Sequence, residues 1–210
     1  PVVMSNRVAV SLARIYQRGF KIDQQALDKV KEEFEIEKAE LEEALDTQVT
    51  ELMGDVPINL NSPEQLSWVI YSRKPRDKRR WADEFTQGMV KVDFNSTVSN
   101  LSDKMYKAHA VQCGSCYGAS KVRKIKKDGS PFARLTKCST CNGVGYLFRS
   151  TKELAGLKFS APNVNWVSAH GFTTSKSNLE MLEHIALGRN MIDAARFLKN
   201  VRRLSALDTY

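Results

Sequence analysis

The chain has 210 residues, of which 42% are apolar and 27% are charged, enough to bury a hydrophobic core in one or two domains. With 11 Gly, 6 Pro and no apolar run near the ~18 residues of a membrane span, the composition excludes a low-complexity polymer and indicates no membrane partner. The net charge of +8 favours a polyanionic partner, with nucleic acid as the first candidate. A merely solvated basic loop is the alternative.

The N-terminal part is predicted to be helical. A short helix is expected over residues 8–18, ending at Gly19, and a long helix over residues 23–53, capped by Asp23. Apolar residues at steps of three, four or seven form one stripe along the long helix. Its other face is acidic, with eleven Asp/Glu against three Lys between residues 23 and 51, and should turn away from DNA.

Three further helices are predicted from their start signals. Ser62 and Gln65 form a capping box, with Pro63 at the first helical position, which predicts a helix to about residue 71. A second capping box, Ser177 with Glu180, predicts a helix through residue 187. The last helix is expected from about residue 190 to the end of the pattern.

Between about residues 73 and 168 the helical periodicity fades, and Gly, Ser, Asn, Pro and basic residues become more frequent. From residue 73 to residue 152 there are eighteen Lys/Arg against six Asp/Glu. We interpret residues 75–168 as a basic insertion between two helical parts, 1–74 and 169–210. The predicted fold class is mainly α, with a small inserted zinc-ribbon-like β-hairpin module.

Two cysteine pairs, 21 residues apart, carry the strongest motif: Cys113-x-x-Cys116 and Cys138-x-x-Cys141. A two-residue gap lets a tight turn direct both thiolates at one ion, so the four cysteines predict a tetrahedral Zn²⁺ site. Four thiolates leave no coordination position open for substrate, so the zinc should be structural. Free thiols or two disulfides are the alternatives, and His109 is an alternative ligand. Metal binding by close cysteine pairs also points to a reducing compartment, hence the cytoplasm.

The cysteine pairs resemble the C-x-x-C-x-G-x-G repeat of J-protein co-chaperones, the second pair fully and the first except at its last Gly. We take this as a shared way of building a zinc knuckle, without chaperone activity. Between the pairs, residues 128–130 (Asp-Gly-Ser) predict the turn of a β-hairpin. Its predicted DNA-binding residues are Lys121, Arg123, Lys124, Lys126, Lys127 and Arg134, with Lys137 beside them.

Four aromatic residues lie close to this hairpin in the sequence. We expect most of them to form the small core of the module, since a ribbon of this size has little else to bury. Stacking on unpaired bases is the alternative, and phosphate contact by the basic residues is preferred. The residues are Tyr117, Phe132, Tyr146 and Phe148.

The last helix predicts a second cationic surface. Arg189, Arg196, Lys199 and Arg203 fall on one helical face, which Arg202 borders, and such a stripe suits a row of phosphates. A solvated basic face is the alternative.

Three motifs flank the insertion in a fixed order. Residues 12–23 resemble L-A-R-M-x-x-x-G-x-x-I-D, residues 59–66 resemble N-x-x-S-x-x-Q-L, and residues 171–182 resemble P-S-T-x-x-x-x-L-x-x-L. In this order they resemble the thumb subdomain of family A (polymerase-I-like) DNA polymerases, phage members in particular. The family's last thumb helix ends R-x-x-x-K-L-x-S-T-Y. Thr209-Tyr210 fits that ending, but the Lys and Arg positions fall on Ser205 and Val201, which leaves the register of this helix open.

The resemblance implies long antiparallel thumb helices that grip the primer–template duplex during DNA replication. It implies a parent enzyme, a DNA-directed DNA polymerase (a nucleotidyltransferase). We expect this chain to be a fragment that begins at Pro1 without Met, whose partners are DNA and the exonuclease, palm and fingers domains of the same polypeptide. The palm and its Mg²⁺ are expected beyond Tyr210, so the fragment alone should be inactive. A phage protein would act in the host bacterial cytoplasm.

The functional hypothesis is that the zinc insertion extends contact with DNA and thereby raises processivity. In one alternative the module docks a replisome protein, such as a helicase or a processivity partner. In another the chain is a free-standing zinc-ribbon nucleic-acid-binding factor. A zinc hydrolase or deaminase is disfavoured, because neither an open ligand position nor an adjacent general base is present.

Overall fold

The computed structural model describes residues 2–19, 23–77, 102–127, 129–168 and 171–208, together with residues 79, 83, 94, 95 and 98. The chain divides into two compact units, Pro1–Glu40 and Leu41–Tyr210. The described helices are α1 (Val2–Arg18), α2 (Gln24–Met53), α3 (Pro63–Tyr71), α4 (Lys176–Gly188) and α5 (Ile192–Leu207), with a 3₁₀ turn at Val164–Trp166. The described strands are β1 (Arg73–Pro75), β2 (Ser102–Lys104), β3 (Tyr106–Gln112), β4 (Lys121–Val122), β5 (Thr136–Lys137), β6 (Tyr146–Leu154), β7 (Val167–Ser168) and β8 (Gly171–Phe172).

Two of the predicted helix starts are confirmed. The Asp23 carboxylate accepts the backbone N–H groups of Gln25 and Ala26, which satisfies two free donors at the start of α2. Ser62 caps α3, and its side chain accepts from the backbone N–H of Gln65. The return bond of the capping box differs, because the Gln65 side chain accepts from the N–H of Asn59 at 2.7 Å.

The predicted cap of α4 at Ser177 is wrong. Ser175 is the N-cap, and its side chain accepts from the backbone N–H of Asn178. The helix therefore begins at residue 176, two positions earlier than the motif predicts. A serine can cap a helix without a Glu or Gln three residues on, so Ser175, which is followed by Asn178 at that position, is missed by the capping-box pattern.

Helices α3, α4 and α5 share one hydrophobic core with the C-terminal part of α2. The apolar stripe of α2 is buried at Leu45, Val49 and Met53, while Leu27 and Phe34 are exposed. Phe197 and Leu198 of α5 are among the largest fully buried side chains. The stretch that follows β6 joins the same core with Ala155, Phe159, Trp166, Val167 and Phe172.

The strands form small antiparallel sheets of two strands each: β1 with β2, β3 with β6, β4 with β5, and β7 with β8. The longest pair, β3–β6, is joined to the helical core at its base. The Asp55 N–H donates to the carbonyl of Ala108, and the Ala110 N–H donates to the Asp55 carboxylate. At the other end of the pair the strands lead directly to the cysteines.

The coarse prediction of helices with a small β element is confirmed: the described residues form helices, small antiparallel sheets and a four-cysteine cluster. Within the described part of the chain, no helix combines the length and the apolar character that crossing a bilayer requires.

Candidate metal centre and basic surface

All four cysteines lie in one buried cluster. Their Sγ atoms lie within 4.8 Å of one another, with 3.9 Å between Cys113 and Cys138 and 3.6 Å between Cys116 and Cys141. Four sulfurs held about 2.3 Å from one tetrahedral ion lie roughly 3.8 Å apart. All four thiols are free, so the disulfide alternative is not what the structure contains. The donor set and its spacing therefore fit a metal ion.

The two cysteine pairs have matching backbones, offset by 25 residues. Tyr117 and Asn142 each follow the second cysteine of a pair and have positive φ, as do Gly118 and Gly143 after them. Ser120 occupies the position of Gly145 and also has positive φ. The first pair thus keeps the knuckle conformation without the last glycine of the sequence pattern.

Reciprocal hydrogen bonds join the two knuckles. The Cys113 N–H donates to the carbonyl of Gly145 at 2.9 Å, and the Cys138 N–H donates to the carbonyl of Ser120 at 3.0 Å. Each first cysteine is therefore fixed by the opposite knuckle. These two hydrogen bonds hold together two cysteine pairs that are 21 residues apart in the sequence.

Burial and nearby hydrogen-bond donors shift the pKa values of three of the cysteine thiols. Burial raises the pKa of Cys141, but the Gly145 backbone N–H, 3.2 Å from its Sγ, the neighbouring thiols and the Gly143 N–H together bring it to about 6. Hydrogen bonding from the Cys141 N–H lowers the pKa of Cys138. Burial raises the pKa of Cys116 to about 11, and the Cys141 thiol acts in the same direction. The thiolate is the form that binds metal, and two of these positions favour it.

Residues 106–154, from β3 to β6, are called the cysteine module from here on. Its buried cluster consists of the four cysteines, against which only Val122 and Leu147 pack among the described hydrophobic residues. The module carries ten Lys/Arg against two Asp/Glu, a balance of +8 that equals the net charge of the whole chain. The remaining residues are therefore neutral in sum, and the cationic character of the protein belongs to this module.

The predicted basic hairpin is present and exposed. Strands β4 and β5 pair at its base, Ile125 bridges to Pro131 near its tip, and the turn includes Gly129 with positive φ. Asp128 lies outside the described residues. Every predicted cation of this hairpin is exposed: Lys121, Arg123, Lys124, Lys126, Lys127, Arg134 and Lys137.

The expectation that most of the four aromatic residues form the core of the module is wrong. Tyr117 is 78% exposed, Tyr146 48%, Phe132 45% and Phe148 39%. The sulfur cluster fills the interior, and two-stranded sheets provide no second layer to cover the rings. Phe132 lies under a cation, with Lys126 Nζ 5.6 Å from its ring centroid. Sequence reasoning missed this surface because it took apolar rings as interior by default.

The basic residues of the last helix have two different environments. The Arg202 guanidinium lies 2.5 Å from the Glu183 carboxylate and 3.3 Å from that of Glu180, so α4 already balances its charge. Arg189 lies outside α5, because it is the C-cap residue of α4, so the predicted four-residue stripe on the last helix is wrong at its first member. Arg189 is exposed, as are Arg196, Lys199 and Arg203 of α5. Thr209 and Tyr210, on which the family ending rests, lie outside the described residues.

His109 does not join the sulfur cluster. It is exposed on β3, with its Nδ1 3.7 Å from the Asp55 carboxylate, and the metal-competent group contains cysteines alone. His170 lies outside the described residues, and His184 is exposed on α4.

Comparisons with known proteins add no relative: no protein-family model, no curated protein and no solved structure matches this chain.

Proposed function

We propose that this chain binds nucleic acid through its cysteine module, which a structural zinc ion braces. The observation that carries the proposal is the exposed set of seven cations on a hairpin whose base joins both cysteine knuckles. A surface of this charge attracts phosphates, and backbone hydrogen bonds such as that from the Phe132 N–H to the Lys124 carbonyl hold the hairpin together.

Zinc is the metal that suits this site best. Four thiolates in a tetrahedral set favour zinc over magnesium or calcium, which prefer oxygen ligands. Cys113, Cys116, Cys138 and Cys141 would hold it and leave no position for substrate. The ion would then cross-link the two knuckles and take no part in a reaction.

The parent protein we propose is a family A DNA polymerase, in which residues 1–74 and 169–210 belong to the thumb. Residues 75–168, which contain the cysteine module, would be an insertion near its tip. The motifs around residues 12–23, 59–66 and 171–182 support this proposal. Exposed cations on α5 and on the hairpin would contact the phosphates of primer–template DNA, and the added contacts would lengthen each binding event. Mg²⁺ would belong to the palm of the parent enzyme.

Duplex binding by the purified chain tests the proposal. We expect anisotropy titrations with labelled duplex DNA to show an affinity that falls about 10³-fold between about 50 and about 200 mM salt if about six cations contact phosphates. Replacing residues 113–145 by Asn-Gly should abolish most of this binding. Gln112 and Tyr146 are directly paired, so a two-residue turn can close β3 onto β6 and leave the helical core intact.

A matched pair of charge variants separates the hairpin from general charge. Lys124→Gln, Lys126→Gln and Lys127→Gln together remove three charges from the hairpin. Lys29→Gln, Lys31→Gln and Lys38→Gln remove the same number from α2. We expect the first set to weaken duplex binding at least tenfold more than the second. Equal losses, or no salt-dependent binding by the native chain, would overturn the proposal.

A further inference from the structure

The β3–β6 pair has two chemically different faces. Side chains alternate along a strand, so Leu147, which packs against the cysteine cluster, points away from the face that holds Tyr146 and Phe148. Directly opposite these rings on β3 lie Gln112 and Ala110. The small Ala110 side chain leaves the ring of Phe148 uncovered from that side.

The turn next to this face carries a third exposed ring, that of Tyr117. The Gln112 side-chain amide donates to the backbone carbonyl of Tyr117 at 2.9 Å, which fixes the turn bearing Tyr117 beside the residue opposite Tyr146. Tyr117 is the most exposed aromatic residue of the module. We call Tyr117, Tyr146 and Phe148 the aromatic face.

The aromatic face has no partner ring among the described residues, where the one ring pair is that of Tyr71 with Phe172 in the helical core. Tyr146 and Phe148 are two residues apart on one strand, so their Cα atoms lie about 6.6–6.8 Å apart. That separation is about twice the 3.4 Å spacing of successive stacked bases. A flat ring system of one base thickness can therefore lie against either side chain.

The charge of the cysteine module indicates which kind of partner binds the aromatic face. The rings belong to a module with ten cations and two carboxylates, so a partner must bring negative charge together with flat apolar surface. Nucleic acid with unpaired bases offers both, whereas the bases of a duplex are already stacked and paired. An acidic protein segment would match the charge but has no need of three separate exposed rings.

Resting on the proposed function, we infer that the aromatic face binds unpaired bases, so that the cysteine module prefers single-stranded over duplex nucleic acid. The hairpin cations hold the phosphates while Tyr117, Tyr146 and Phe148 stack on the bases. Stacking tolerates any base, so the preference is for strand state rather than for sequence.

The test compares two labelled single strands with the same number of phosphates, about twelve nucleotides of oligothymidine and the corresponding abasic strand. The native chain should bind oligothymidine about tenfold more tightly for each stacked base. Tyr146→Leu with Phe148→Leu should bring this ratio towards one and leave affinity for the abasic strand unchanged. Tyr16→Leu, which removes a 92% exposed ring from α1, should leave the ratio unchanged.

The outcomes separate the two proposals. If the native chain binds both strands equally, or if the double variant keeps the native ratio, the aromatic face does not bind bases, while phosphate binding stands. If the native chain binds neither strand and no duplex, the proposed function fails as well. If the double variant loses its metal, Tyr117→Leu in the turn replaces it, and an unchanged ratio there overturns the inference. Binding of an acidic peptide that competes with oligothymidine only in the native chain would point to a protein partner instead.

Discussion

The helical core and the cysteine module are stabilised in different ways. The core buries large apolar side chains from four helices, including Phe197, Leu198 and Met53, and burial of each contributes about 1.5–3 kcal/mol. The module buries four cysteines and packs only Val122 and Leu147 against them. The helical core is therefore stabilised by the burial of apolar side chains. The stability of the cysteine module depends on the group that joins its four sulfur atoms.

This difference explains why the two regions can present different surfaces. The module needs few apolar residues inside, so its rings and cations remain available outside. The core uses its apolar residues for packing and uses ion pairs such as that of Arg202 with Glu183 to join α5 to α4. We expect changes at the metal site and changes in the core to affect stability separately.

Removal of the metal should have the largest effect. Structural zinc contributes on the order of 10 kcal/mol of binding free energy that is also folding free energy. Treatment with a chelator, or Cys138→Ser, should abolish amide-exchange protection across residues 106–154. Protection of α4 and α5 should remain, because their core contains no cysteine. Unchanged protection of the module without metal would show that the sulfur cluster is not its main support.

Leu198→Ala should destabilise the helical core and leave the metal site intact. Leu198 is fully buried in α5, so the variant loses apolar burial and leaves a cavity, at a cost of about 2–5 kcal/mol. Urea unfolding followed by tryptophan fluorescence measures this, since Trp166 is buried in the core. Leu187→Ala, the same change at a half-exposed position of α4, should cost under about 0.5 kcal/mol. A Leu198→Ala chain that also lost its metal would contradict independent stabilisation.

Two glycines allow the same substitution to be made in each region. An added Cβ would lie 2.7 Å from the carbonyl oxygen of Gly118 at Gly145, and 2.3 Å from that of Val69 at Gly156, and both glycines have positive φ. Strain of this kind costs about 1–3 kcal/mol. We expect Gly145→Ala to weaken metal binding about 5- to 150-fold in chelator competition. Gly156→Ala should lower the free energy of unfolding of the core.

Gly114→Ala is the control for both, because its Cβ would meet no atom within 4 Å and its φ is not in the left-handed region. It should change neither measurement. If Gly145→Ala destabilised the core as much as the metal site, the two regions would unfold together and the comparison would fail.

Local features of the structure could be predicted from the sequence. The spacing within each cysteine pair predicts that its two thiols meet, and the caps at Asp23 and Ser62 follow from side chains that reach only three residues along the chain. These features depend on neighbours in sequence, so a single sequence contains the signal. The C-x-x-C-x-G-x-G pattern likewise marks the positive-φ positions at Gly143 and Gly145.

Features that depend on packing could not be predicted in this way. The rings of Tyr146 and Phe148 are exposed because the sulfur cluster takes the interior, which the strand sequence does not reveal. The charge of Arg202 is balanced by Glu180 and Glu183, which lie on another helix. The basic stripe predicted on α5 therefore includes one residue whose main contacts are within the fold.

The smallest predicted effect distinguishes two serines at the start of α4. Ser175→Ala removes the side chain that accepts the Asn178 N–H, and loss of such a cap costs about 1 kcal/mol. Ser177→Ala leaves that bond in place and should change stability by under about 0.5 kcal/mol, even though Ser177 with Glu180 has the sequence pattern of a capping box. Urea unfolding of the two variants measures the difference. A larger loss at Ser177 would contradict the assignment of Ser175 as the N-cap of α4.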